Sequence, residues 1–260
     1  MFLDLERKIT KIIRYWKYLG IAACLGHVFY KIFPRTWNSF RRFMFYDYAY
    51  PMHIRYGARD YDLFYRIFMD KEYSCVEKLR PPKFVIDCGA NVGFSSIYLF
   101  YEFPEATILA VEPEQDNLMF CMRNLELYRR IYVRHAAVWS HAVNLKFNDT
   151  GRSLQMREVK EGEEYDFVGT NIYSLLEESG FGFIDLLKLN INHIEKIIFT
   201  QNYERWLNRT RNIVIELSDV ESLRIFFEAM KDYRYEVFTS GKLTICKNIR
   251  RKKDAGKKTS

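Results

Sequence analysis

From residue 84 onward, short apolar runs alternate with longer stretches of helical spacing. Phe84-Val85-Ile86 is a brief continuous run, and Thr107–Val111, Phe183–Leu189 and Asn212–Leu217 repeat the type. Between and after them, Val92–Phe103, Glu114–Tyr128, Asn171–Ser179, Ile194–Leu207 and Val220–Tyr233 carry apolar residues at helical intervals, two of them closed by Pro104 and Gly180. Ile131–Trp139 and Val143–Phe147 look extended, and Tyr235–Phe238 and Leu243–Cys246 flank Ser240-Gly241 as a hairpin. Strands apolar on both faces must be covered on both faces. The pattern therefore predicts an α/β, Rossmann-like fold with a mostly parallel sheet, helices on either side and a closing antiparallel hairpin.

Upstream the periodicity is looser. Residues 1–50 read as a basic, aromatic, helical appendage punctuated by Pro34, and residues 51–80 as a lead-in connector whose Tyr61–Phe68 is helical. Pro81-Pro82 opens the regular domain, 81–247, and 248–260 reads as a basic, disordered tail. A chain of 260 residues has room for one full α/β domain and an appendage, not for two large domains. The net charge of +7 sits at the ends. The first 43 residues hold nine cations against Asp4 and Glu6, and residues 247–260 hold seven against Asp254, which leaves an acidic body. Basic ends on such a body predict an anionic surface as partner, membrane lipid or nucleic acid, and the N-terminal segment reads either as lying on an anionic membrane or as a helix packed on the domain's own body. No RNP-like strand or recognition helix accompanies the aromatics of Phe43–Tyr48, which argues against nucleic acid.

Five scattered cysteines without paired spacing exclude a disulfide framework and structural zinc, and predict a cytoplasmic setting. The longest uncharged run near the start, Tyr18–Tyr30, has thirteen residues, short of the roughly 20 that a spanning helix needs. Peripheral attachment is the form of membrane contact left to it. His135, in an apolar strand, reads as a satisfied core residue and His141 as a surface turn residue; no pair of histidines has metal-ligand spacing.

The most specific signal is Phe84-Val85-Ile86-Asp87-Cys88-Gly89-Ala90-Asn91-Val92-Gly93. A buried strand runs into a tight turn with glycines four apart, and a helix follows. Gly89 can take a positive φ, Gly93 allows close helix packing, and amides free at the helix start would favour an electron-rich ligand group. Asp87 stands where it can accept from a ligand ammonium or from the loop amides. The dinucleotide fingerprint differs, since Asn91 occupies the place of its second glycine. Glu112, at the end of the second strand and before Pro113, is placed to hold a ribose hydroxyl pair.

Asp87–Gly93 with Glu112-Pro113, Asn117, Asn124, Ala136-Ala137-Val138-Trp139, Ile184–Leu189 and Ile215-Glu216-Leu217 resembles the FkbM family of methyltransferases. Arg55–Asp60, Phe64 and Tyr73 resemble that family's lead-in. The resemblance covers residues 52 to 218. It implies a class I methyltransferase fold and an S-adenosylmethionine-dependent O-methyltransferase whose acceptor is a small hydroxylated or glycan-type metabolite. The cofactor residues it implies are Asp87, Gly89, Ala90, Asn91, Val92, Gly93, Glu112, Pro113, Asn117 and Ala137.

One segment departs from the family. Its fourth strand runs into Lys-x-Asp-x-Glu-Gly-x-Glu, whereas this chain has Lys188-Leu189-Asn190-Ile191-Asn192-His193-Ile194-Glu195. Two carboxylates have become amides. Among the candidate catalytic residues Asn190, His193 and Glu195, only the imidazole titrates near neutral pH. Three readings stand: a site retuned around His193, a catalytically silent relative with a binding or scaffolding role, and a nucleic-acid methyltransferase using the basic ends.

Overall fold

The computed structural model describes residues 40–45, 48–55, 59–147, 156–191 and 194–252. The chain opens with β1 (Phe40–Phe43) paired antiparallel to β2 (Met52–Arg55), then α1 (Asp60–Phe64), which runs directly into one wide turn, Tyr65–Met69. The domain proper is β3 (Phe84–Cys88), α2 (Phe94–Glu102), β4 (Thr107–Glu112), α3 (Gln115–Leu125), β5 (Ile131–His135), β6 (Ala137–Val138), β7 (Val143–Phe147), β8 (Met156–Glu158) and β9 (Phe167–Thr170). After these come α4 (Ile172–Ser179), β10 (Leu186–Leu189), α5 (Glu195–Ile198), α6 (Tyr203–Leu207), β11 (Ile213–Glu216), α7 (Val220–Met230), β12 (Tyr233–Ser240) and β13 (Leu243–Arg251).

Seven strands form one sheet in the order β12-β13-β11-β10-β3-β4-β5, with β13 antiparallel to both neighbours. The chain runs outward from β3 to β5, then crosses back to β10 and continues in the opposite direction. The switch lies between β3 and β10, so the crevice beyond their carboxyl ends is where ligands of such sheets bind. Side chains alternate in period two. Val85, Ile108, Ala110, Leu186 and Val214 enter one core layer; Phe84, Ile86, Cys88, Val111, Leu187, Leu189, Ile213 and Ile215 enter the other. Both faces are therefore apolar, as the continuous runs require.

Several elements differ from the sequence expectation. Phe40–Phe43, placed in the helical appendage, is a strand, because β2 offers it a partner. The lead-in packs on the domain core: Phe64 and Phe68 both meet Phe94 edge-on, with ring centroids 5.9 and 5.8 Å away. Asn124 of α3 ties it down, accepting from His53 N and donating to His53 O and Val92 O. The extended run at 131–139 is cut at Ala136, its two halves joining different sheets. The second sheet, β6-β9-β7-β8, includes two strands that no sequence pattern announced. The helix expected over Ile194–Leu207 is two short ones separated by Asn202 at φ 59. Asn248–Arg251, placed in the disordered tail, completes β13 against β12. His135 is exposed rather than in the core, with Nε2 2.9 Å from Pro113 O. The appendage before residue 40, His27 included, lies outside the described residues. Among the described residues no helix is long and apolar enough to cross a membrane, and no cluster of side chains could hold a metal ion.

Candidate cofactor and acceptor site

Gly89 and Gly93 take φ of 75 and 88, the left-handed region that a side chain resists, and Asn91 joins them at φ 52. A Cβ on Gly89 would sit 2.1 Å from Asn190 O, so this glycine is demanded by the approach of the β10 end to the loop. A Cβ on Gly93 would meet Leu125 at 3.0 Å, which accounts for close packing of α2 on α3.

The loop's amides are all used within the protein. Gly89 N and Ala90 N donate to Val111 O, Asn91 N to Glu112 Oε2, Val92 N to Asn91 Oδ1 and Gly93 N to Ala90 O. The amides of the turn itself are therefore spent, ahead of the helix that begins at Phe94. A phosphate cradle needs several such N–H groups, and from Gly89 to Gly93 none is left for one.

Asp87 is also placed differently from expectation. It is fully buried beneath the loop and accepts from the hydroxyls of Ser95 (2.6 Å) and Ser96 (2.7 Å). Its Oδ1 lies 2.8 Å from Lys188 Nζ, a coulombic contact, while the ammonium donates to Gly89 O at 2.9 Å. Burial pulls the Lys188 pKa down, but the adjoining Asp87 charge outweighs it and leaves Lys188 raised and cationic. Tyr73, buried beside the pair, is pushed up to about 12 by burial against the opposing pull of Lys188. Asp87 thus ties β10 and the first turn of α2 to the end of β3, through Lys188, Ser95 and Ser96.

A cavity of about 120 Å³ opens at the carboxyl ends of β3, β4 and β10. Of the sequence-derived cofactor residues, Gly89, Asn91, Glu112, Pro113 and Asn117 line it; Asp87, Ala90, Val92, Gly93 and Ala137 do not. Ala136 and Val138 line it instead of Ala137, since the chain leaves one sheet at Ala136 and joins the other with alternate side chains toward the cavity. Phe147 and Met156 of the second sheet close the far wall. No local signal marks those two residues, because their place depends on a sheet that pairs only in the fold.

Glu112 is the buried carboxylate of this wall, and Glu114 lines it too. Its carboxylate accepts from Asn91 N, Asn117 Nδ2 and Glu114 N, at 2.9, 3.1 and 3.2 Å. Burial raises its pKa, and these donors partly offset the rise. Asn117 is held in turn by Arg55, which also forms an ion pair with Asp60 at 2.8 Å. On the acceptor side, Asn190 lines the cavity and donates to Glu216 Oε2 at 3.2 Å. Glu216, at the end of β11, also has Arg66 at 3.6 Å and Lys242 at 3.9 Å. Glu195 opens α5 and is buried. Asn192 and His193 lie outside the described residues.

The family model for the methyltransferase FkbM domain matches residues 87–237, from the glycine loop to the last strand pair. The chain belongs to the FkbM methyltransferase family. A protein named Methyltransferase 1 from Beauveria bassiana is 37% identical over 62 residues, 24% of either chain. Methyltransferase sdnD from Sordaria araneosa is 37% identical over 65 residues, 25% of either chain. The alignable part thus spans about a quarter of the length of these curated relatives. A crystal structure of an FkbM methyltransferase from Methylobacillus flagellatus superposes with a TM-score of 0.49 at 15% identity, covering 67% of this chain and 46% of that one.

The donor set of this FkbM domain fits an adenosyl group. The carboxylates of Glu112 and Glu114 and the carboxamides of Asn91, Asn117 and Asn190 line the cavity as a polar set, beside an apolar set of Val111, Ala136, Val138, Phe147, Met156 and Ile191. Hydroxyls can donate to the first and an aromatic base can lie on the second. The volume is below the roughly 300 Å³ at which small-molecule pockets begin. Phe147, Met156 and Ile191 adjoin 148–155 and 192–193, which are outside the described residues.

Proposed function

We propose that this chain transfers a methyl group from S-adenosylmethionine to a hydroxyl of a sugar, glycan or other small metabolite. The carrying observation is Glu112: a buried carboxylate at the end of β4, held by three donors and facing the cavity beyond the glycine loop. Bound S-adenosylmethionine supplies an electrophilic methyl group on its sulfonium. In this reading Glu112 accepts from the ribose hydroxyls, Asn117 keeps the carboxylate aimed, and Val111, Ala136 and Val138 lie against the base. The spent loop amides favour such a ligand over a pyrophosphate. Asn190 orients the acceptor hydroxyl through a hydrogen bond but cannot take its proton, and His193 is the base that the sequence supplies beside it.

A second reading has its own support. Asn190 stands where the family carries a carboxylate and is hydrogen-bonded to Glu216, so the chain has a binding role without turnover. Mass-spectrometric detection of S-adenosylhomocysteine formed on a panel of sugar and lipid-linked acceptors separates the two. Turnover by the wild type that falls by about 10²–10⁴-fold in His193→Ala, with cofactor affinity kept, supports methyl transfer with His193 as base. Cofactor binding without turnover on any acceptor supports the second reading, and absence of binding removes both.

A further inference from the structure

A larger cavity, about 750 Å³, lies at the opposite end of the sheet. It is built from Lys78–Pro81 ahead of β3, the starts of β10 and β11, and the last turns of β13. β3 separates the two ends by roughly 15 Å at 3.3 Å per residue, so this cavity shares no wall with the glycine-loop site. Among the described residues, six cations line it, Lys78, Arg80, Arg211, Lys247, Arg250 and Arg251, against the single carboxylate of Asp185.

That carboxylate does little to repel an anion. Asp185 is 7% exposed; its Oδ2 accepts from Lys83 N and Phe84 N, and its Oδ1 pairs with Arg211 at 2.6 Å. The pair also fixes Arg211, whose guanidinium lies 5.0 Å from the Phe183 ring centre. Lys78, Arg80, Arg250 and Arg251 have no carboxylate partner among the described residues. Gathering six cations around one concavity is electrostatically unfavourable unless an anion relieves it. Asn212 donates to Asp185 O and accepts from Asn248 N, stitching the start of β11 to β13. The cations therefore project from a braced frame.

We propose that this cavity is a binding site for a ligand carrying two or more phosphoryl groups. Arginine forks suit phosphate oxygens in pairs, and cations spread over three chain segments suit more than one phosphate. A concave pocket admits a compact group better than the flat face of a bilayer. Its one exposed aromatic, Phe183, already carries Arg211 on its ring, which leaves no platform for a nucleobase. A free phosphorylated metabolite and a multiply phosphorylated lipid headgroup present the same chemistry.

The test uses the full chain, with inorganic tripolyphosphate as probe in titration calorimetry. Arg80→Glu/Arg250→Glu reverses two exposed cations of the cavity, and Arg129→Glu/Lys160→Glu makes the same charge change elsewhere on the exposed surface. Tripolyphosphate is expected to bind the wild type and the control pair alike, and the cavity pair about tenfold or more weakly. Thermal midpoints of both pairs near that of the wild type show that folding is intact. Vesicles of phosphatidylcholine, alone or with phosphatidylserine or a phosphatidylinositol bisphosphate, then identify the source. Retention on bisphosphate vesicles in excess of that on phosphatidylserine vesicles, with the excess lost in the cavity pair, assigns a lipid headgroup. Tripolyphosphate binding with no such excess assigns a free ligand. The proposal is overturned by no tripolyphosphate binding, by equal loss in both pairs, or by single-stranded RNA binding more tightly than tripolyphosphate and depending on the cavity pair.

Discussion

Two buried carboxylates divide the work at the residue scale. Glu112 faces the cavity and its folded pKa is raised by burial. The folded state then holds this proton more tightly than the unfolded chain, so this contribution to stability is full below the ordinary carboxylate range and is lost as pH rises through the raised value. A ligand whose hydroxyls donate to Glu112 needs that ionised form. Calorimetry should therefore show S-adenosylhomocysteine affinity falling as pH drops, starting above the ordinary carboxylate range, and Glu112→Gln should lack this inflection. Glu112→Ala should weaken binding by about 1–3 kcal/mol; an unchanged affinity would remove Glu112 from the site. Asp87 has the other task. Lys188→Met strands its charge in the core, and denaturant unfolding should show a loss of about 3–5 kcal/mol. Asp87→Asn combined with Lys188→Met should recover part of that loss, because no buried charge is then left alone. Gly89 is a poor probe of ligand binding, since any side chain there collides with Asn190 O before it concerns a ligand.

At the scale of elements, the lead-in is a brace for the site. Arg55 on β2 holds Asn117, which holds Glu112, and Asn124 on α3 joins β2 to the loop at Val92. Asn124→Ala leaves buried backbone groups at His53 and Val92 without partners, which costs about 1–3 kcal/mol for each such group. Hydrogen exchange should accelerate at Met52–Arg55 and at the glycine loop together. Acceleration at β2 alone would mean that the brace does not reach the site. The second sheet has the opposite character. Phe147 and Met156 form the second-sheet wall of the cavity, so a bound cofactor would lie against them. Saturating S-adenosylhomocysteine should change exchange at β7 and β8 more than at β11.

Over the whole molecule, charge is segregated by position. The carboxyl ends of the parallel strands hold Glu112 and Glu216, and the opposite end gathers the six-cation cavity. The first 43 residues add nine cations with Trp16, Phe29 and Phe33 among them. At roughly 1 kcal/mol per basic residue near an anionic surface, such a segment would suffice for reversible attachment. Flotation with phosphatidylserine vesicles should therefore be lost on deleting residues 1–39 and kept in Arg80→Glu/Arg250→Glu. Retention after the deletion would assign attachment to the folded body.

What the sequence determined by itself is what short-range physics controls. The glycines of the loop answer to backbone φ and to close approach, the strands to continuous apolar runs, the α3 and α4 starts to Glu114 and Asn171 capping the next turn. Glu112 was legible because the end of the second strand follows from the pattern alone. The tertiary structure decided everything that depends on pairing between distant segments. The change of sheet at Ala136 chose Ala136 and Val138 over Ala137 for the cavity wall. Lys188 reached across from β10 to take Asp87 and Gly89 O, nearly one hundred positions away. Val111 O consumed two loop amides, and four segments scattered from residue 78 to residue 251 assembled one basic cavity. Side-chain parity, charge partners and the fate of each N–H are set by strand register, and register is fixed only when the whole sheet closes.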